Sequence, residues 1–546
     1  MNKHNKINTI FKSSYFRISA YAFFCISGNF TFGYFWGAIV AFIIIFFISF
    51  KIDLISEQLK SNCIGLHIIA ILTALGVCLW NQKKLYTYLS GLPELQRLKA
   101  TLPVSINIPK TISIFGSVLA IYFVYICTLI FWEQIIKIII DNKMFDNICA
   151  AEWILYSSLI IVSLILMIVS FFQTDAFYGT QYKFDIIYTS DSPILIKNNV
   201  YLNLTHQEND IRQPLFAVFS IPFVSIPYFV GEIFNVSATV QAILVNSIQI
   251  VLLFISNFML SKMMRLNSIK RISFMLLTFF TYTYLLFSLM MEQYIIAYFW
   301  LILSMYLISE RKSLNKIVLW GAGGTLLTSI VLMIFIPEES PLTNFKKWFI
   351  DMMKYGCQFV VAILAFCRFD IFYYLLLNLS ELCKYTGGNI KIIDKIYQYS
   401  AFICNYFIAP KANINTTTFN HISWQLDTIV NLNLIGIVIL ILVVISIILN
   451  KDKRSSVLAF CWVVYSLVIL VGFGWGTKEN GLILYELYFG WAFYVLIYQL
   501  IEKIEDKFNI KYLTLTLSIV CSVLLALINI PAILELINFS INNFPV

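Results

Sequence analysis

The stretch from Thr174 to Phe216, TDAFYGTQYKFDIIYTSDSPILIKNNVYLNLTHQENDIRQPLF, decides how the chain is read. It follows an apolar run long enough to cross a membrane. It carries Asp175, Asp185, Asp191, His206, Glu208, Asp210 and Arg212, interleaved with Phe177, Tyr178, Tyr182, Phe184, Tyr188 and Tyr201. Acids mixed with rings suit a structured loop pressed against a membrane surface, where aromatic side chains sit at headgroup level. The alternative is a solvated loop without chemistry, which has little use for so many aromatics.

Composition sets the solvent. Of 546 residues, 60% are hydrophobic and 12% charged, and mean hydropathy is +0.82. Soluble domains carry about 25% charged residues, so this supply cannot coat a globular surface. Soluble, disordered and nucleic-acid-binding classes are excluded. The chain reads as all-α, a polytopic transmembrane helix bundle surrounded by membrane lipids. Its 38 basic and 29 acidic residues leave +9, an excess that in membrane proteins marks cytoplasmic loops. The eleven cysteines are scattered without a CxxC pair, supporting neither a zinc site nor a disulfide framework. Heavy use of Ile, Phe, Asn and Lys fits an AT-rich bacterial genome, hence a bacterial plasma membrane.

A crossing helix needs about 20 mostly apolar residues. Such runs lie near 30–50, 64–80, 111–135, 154–173, 237–260, 272–290, 294–308, 317–336, 355–380, 398–409, 430–449, 457–474, 482–502 and 513–537. The 398–409 run is short enough to be interfacial, so about 13 spans are expected. Lys3, Lys6, Lys12 and Arg17 precede an apolar stretch that is too long for a cleaved signal peptide and reads as an uncleaved first segment.

Lys and Arg in short loops assign the sides. Loops 261–271, 309–316, 450–456 and 503–511 are basic and go to the cytoplasm, with 355–380 and 398–409 forming one out-and-back pair. Loops 174–236, 290–293, 337–351, 410–428 and 475–481 are then outside. Only one of the runs 215–230 and 237–260 can cross. The first holds Pro222 and Pro227, which disfavour a straight spanning helix, so it is read as a helix along the outer interface. The basic loop 81–110 conflicts with simple counting. Either 17–50 holds two short spans broken around Gly28-Asn29 and Gly33, or an upstream segment is re-entrant, and the topology of 17–153 stays open. The expected organisation is 1–153 as N-terminal spans, 154–380 as a core bearing the outer loop 174–236, and 381–546 as a C-terminal region with outer loops 410–428 and 475–481.

An apolar helix, an early acid in Asp175-Ala-Phe-Tyr, then Ser190-Asp191-Ser192 and Asp210-Ile-Arg-Gln-Pro-Leu-Phe216 resemble the first outer loop of GT-C glycosyltransferases. The likeness is to the protein mannosyltransferase and aminoarabinose transferase branches and covers residues 154–310. Arg212-Gln213-Pro214-Leu215 stands where those branches carry a His-Pro-Pro-Leu-like motif. The resemblance implies a polyprenyl-phosphate-linked sugar donor and an extracytoplasmic glycan, lipid or protein acceptor. It also implies a second outer acid two spans on, which here is Glu292.

Other polar groups stand out against the apolar background. Glu486 lies inside an apolar run, with Lys478 and Glu479 at the preceding outer turn and glycines at 472, 474, 476 and 481; helix packing with a structural ion pair is the alternative reading. Arg368 and Asp370 also interrupt an apolar run. His421, Trp424 and Asp427 sit in an outer loop and suggest acceptor contacts. No P-loop, HExxH or GxSxG motif occurs.

Sugar transfer needs a base for the acceptor hydroxyl and a stabiliser for the departing phosphate. A carboxylate at an apolar boundary suits the first role, with Asp175 first in line and Asp191 and Asp210 next. Arg212 offers a bidentate fork to phosphate oxygens, seconded by Lys478, while His206, Gln213, Glu292, Glu479 and Glu486 support the site. Whether a divalent cation, held by Asp175 and Glu292, takes part is left open. The rival readings are a transporter or flippase of a lipid-linked or small substrate, and a glycan polymerase or ligase.

Overall fold

The computed structural model describes residues 64–91, 108–179, 186–188, 190–197, 199–202, 212–310, 316–335, 337, 343–366, 386–387, 390–416, 422–427, 431–476 and 481–546. The expected first span at 30–50, Asp185, His206, Glu208, Asp210, Arg368, Asp370, His421, Lys478 and Glu479 lie outside these residues.

Apolar runs become helices almost throughout. In chain order they are α1 (Ile64–Gly91), α2 (Ile108–Asp141), α3 (Ala150–Gln173), α4 (Ser192–Lys197), α5 (Phe216–Phe234), α6 (Ala238–Met263), α7 (Ser268–Phe279), α8 (Tyr282–Leu289), α9 (Tyr294–Ser309) and α10 (Lys316–Thr325). A 3-10 segment, Leu327–Phe335, is followed by α11 (Phe345–Phe366) and α12 (Ile392–Asn405). An antiparallel hairpin of β1 (Ala412–Thr416) and β2 (Ile422–Leu426) precedes α13 (Leu434–Leu449), α14 (Arg454–Leu467), α15 (Glu486–Phe508) and α16 (Leu513–Asn543).

The protein is a multi-pass, helical membrane protein. Among the described residues six helices are long and apolar enough to cross a bilayer: α3, α5, α6, α14 with its π-helical extension to Gly472, α15 with the turn before it, and α16. The pair α7 and α8 makes a seventh if its 65° bend lies within one span. The expected run 272–290 is therefore not one straight helix. Thr281 stops it, because its side chain caps α8 by accepting the Tyr284 N–H. The run 317–336 likewise divides into α10 and the 3-10 segment. At 215–230 the two prolines do not break the helix; α5 continues through Pro222 and Pro227 for 19 residues, so its length suits a span as well as an interfacial helix.

The chain forms two compact units that interleave along the sequence. One comprises Met1–Lys143, Val200–Ser237 and Asn315–Leu375; the other comprises Met144–Asn199, Ala238–Leu314 and Leu376–Val546. In the first, α1 packs on α2 and α5. Gly76 permits the close crossing, since a Cβ there would stand 2.6 Å from the Ser225 carbonyl oxygen. Trp132 meets Phe223 edge to face at 5.7 Å. The Leu215 N–H donates to the Gly324 carbonyl at 2.8 Å, and the Leu327 N–H to the Arg212 carbonyl at 2.9 Å, fixing the entry to α5.

In the second unit every residue of α9 is buried, as is most of α15. A helix apolar on all sides belongs at the centre of a bundle. Around them α3 and α16 expose Ile161, Ile165, Val523 and Leu527, surfaces suited to lipid chains.

Loops assigned to one side of the membrane meet at one end of this unit. At the basic end Arg271 grips Glu152 with two bonds of 2.7 and 2.9 Å, and Glu152 also accepts from Ser268, Tyr156 and the Cys149 N–H. Lys270 bridges Glu502 at 3.1 Å and Glu505 at 3.2 Å, and Lys453 reaches Glu502 at 3.5 Å. These pairs tie the starts of α3, α7 and α14 to the last turns of α15.

Candidate functional site

At the opposite end, the segment after α3 is fastened down along its length. Thr174 Oγ1 donates to the carbonyls of Ser540 (3.0 Å) and Phe544 (2.6 Å). Asp175 follows, its side chain buried and its carbonyl accepting the N–H groups of Tyr178 and Gly179 in a tight turn. Gly179 takes φ +38°, a left-handed backbone that favours glycine. The Phe177 carbonyl then accepts the Met291 N–H at 3.2 Å.

Farther along, Ile187 forms a parallel bridge with Trp424 of β2. The Tyr188 N–H donates to the Trp424 carbonyl at 2.9 Å, and the Trp424 N–H donates to the Ile186 carbonyl at 2.8 Å. The Tyr188 hydroxyl joins Tyr282 at 2.9 Å and accepts from Trp424 Nε1 at 2.9 Å. Burial pushes the Tyr188 phenol above its ordinary pKa, against the pull of its hydrogen bonds, so it remains a neutral O–H at physiological pH. The structure corrects the reading of Trp424 as an acceptor contact: it is buried and buttresses the loop.

Asp191 precedes α4 and meets the turn between α8 and α9. Its backbone N–H donates to Glu292 Oε1 at 2.9 Å, and Gln293 Nε2 donates to Asp191 Oδ2 at 2.8 Å. That turn is itself held from α6, where Asn246 Nδ2 donates to the Ser288 carbonyl (3.1 Å) and Gln249 Nε2 to the Glu292 carbonyl (2.7 Å). Asn246 and Gln249 are three residues apart and so share a helix face.

Burial divides the labour among the acids. Among the described acids of this loop and turn, Asp175 and Glu292 are fully buried, whereas Asp191 is half-buried. Of the expected site residues, Asp175, Asp191, Glu292 and Glu486 fall in this unit. Arg212 and the buried Gln213 fall in the other, at the entry to α5. Glu486 is buried at the first residue of α15 and accepts from Thr283 Oγ1. Among the described residues no three His, Cys, Asp or Glu side chains gather as a metal-holding group. Asn246, Gln249, Gln293 and Tyr282 received no role from the sequence. Amides inside an apolar helix are the signal that could have drawn attention to Asn246 and Gln249.

No family model, curated protein or solved structure matches the chain.

Proposed function

We propose that the protein is a membrane glycosyltransferase of GT-C-like build, with about 13 spans. It takes a sugar from a polyprenyl-phosphate donor on the outer side of a bacterial plasma membrane and passes it to a cell-wall or surface glycan, lipid or protein. The observation that supports this most is the seating of Asp191: Glu292 holds its backbone and Gln293 its carboxylate. Asp191 accepts the proton of the acceptor hydroxyl as that oxygen bonds to the anomeric carbon. The bond from that carbon to the phosphate oxygen breaks, and polyprenyl phosphate leaves. Asp175 and Glu292 position the loop.

Membrane vesicles loaded with a polyprenyl-phosphate sugar test this reading. Wild-type protein should transfer sugar and Asp191→Asn should not, at equal protein levels. Equal transfer by both would refute the assignment. A buried acid beside a bent helix pair favours one other reading, transport. In proteoliposomes, translocation without transfer would support it instead.

A further inference from the structure

Two irregular stretches meet inside the second unit. One is the 65° bend between α7 and α8. The other follows α12, where the backbone unwinds over 406–409 and the carbonyls of Tyr406 and Phe407 accept the N–H groups of Thr283 (3.4 Å) and Tyr282 (3.2 Å). Asn529, buried in α16, ties them together. Its Nδ2 donates to the carbonyls of Phe280 (2.8 Å) and Phe407 (2.7 Å), and its Oδ1 accepts the Ala409 N–H at 2.8 Å. Peptide oxygens that a continuous helix would use along its own axis are thus collected at one buried place.

Glu486 stands against them. One turn on, Gly490 occupies the same face of α15, and its missing Cβ makes room for the Tyr406 ring. The Glu486 side chain is wholly buried; Thr283 Oγ1 donates to its Oε2, while its Oε1 has no hydrogen-bond partner. Among the described residues no Lys or Arg forms an ion pair with it. A carboxylate in a helix bundle is costly unless something positive offsets it.

We propose that Glu486, Thr283 and the carbonyls at the two irregular stretches form a binding site for an alkali-metal cation. A single carboxylate among neutral oxygens suits a single positive charge, and unwound backbone carbonyls serve that purpose in broken-helix membrane proteins. A proton on the carboxylate would cancel the charge as well, and the pH comparison below separates that case from a bound cation. The site is independent of the sugar-transfer reading and would stand if that reading failed.

The experiment follows thermal unfolding of the purified full chain in detergent, at fixed pH and ionic strength, in sodium, potassium or choline chloride. Sodium or potassium should raise the midpoint by several degrees over choline and saturate with concentration. Glu486→Gln should abolish that difference. Should Glu486→Gln fail to fold, radioactive sodium and rubidium binding to wild type and to Thr283→Val decides: wild type should bind one of them and the variant several-fold more weakly. Equal midpoints in all three salts, an alkali-specific shift retained by Glu486→Gln, or dependence on pH alone would each overturn the proposal. So would absence of cation binding by wild type, or equal binding by Thr283→Val.

Discussion

Asp191 and Glu292, 101 positions apart in sequence, are joined by a 2.9 Å hydrogen bond from the backbone of the first to the carboxylate of the second. The geometry separates a half-buried acid from the buried acid that holds it. Asp191→Asn is expected to lower sugar transfer by about 10²–10⁴-fold, the usual contribution of a general base. Vesicle transfer assays normalised to protein level measure this, and wild-type rates in the variant would remove Asp191 from the chemistry.

Gln293 steers the Asp191 carboxylate through a hydrogen bond donated by its side-chain amide. Gln293→Leu removes the donor at similar bulk and should lower turnover by roughly tenfold, as loss of a supporting hydrogen bond to a reacting group does. Gln293→Asn, if its shorter amide reaches, should recover part of the loss. A purely structural role predicts instead a lower unfolding midpoint with unchanged turnover per folded molecule.

The Arg271–Glu152 pair is buried, so removing one partner strands the other. Arg271→Met should destabilise the protein by about 3–5 kcal/mol, and Glu152→Gln added to it should restore much of that. Unfolding midpoints of the two single variants and the double variant test this. A double variant no better than Arg271→Met would mean that lost packing, not the stranded charge, is responsible.

Asn529 satisfies three backbone groups at once. Asn529→Leu takes a partner from the Phe280 carbonyl and the Ala409 N–H, while the Phe407 carbonyl keeps the Tyr282 N–H, at an expected loss of about 1–3 kcal/mol per group left unmade. Hydrogen exchange should rise at Ala409 specifically. Unchanged protection there would show that the backbone finds other partners.

Much of the fold was legible because a membrane helix announces itself by the length of its apolar run. The runs 154–173, 237–260, 430–449 and 513–537 became α3, α6, α13 and α16 within a few residues at most ends. The bend after Phe279 was not legible, since Thr278 to Tyr282 holds neither Pro nor Gly and the helix stops on a hydroxyl cap. The two prolines of α5 were visible, but that the helix runs on through both was not, and α5 packs on α1 along its way. At the site, Asp175, Asp191, Glu292 and Glu486 were visible as charges where charges are rare. Gln249, Asn246 and Gln293 were not, because their partners are backbone groups and a carboxylate up to 102 positions away, and no spacing in the sequence encodes such contacts.

Thr174 hydrogen-bonds to carbonyls 366 and 370 positions farther on. At about 5–20 residues per second, a ribosome needs roughly 20–70 s to make that stretch. The root of the loop at Thr174 therefore lacks these two partners until α16 has been synthesised. Nascent chains halted before Ser540 should be cut by added protease within 174–199, where released chains resist. Fastening of the Thr174 end of the loop is then among the last events in the protein's biogenesis.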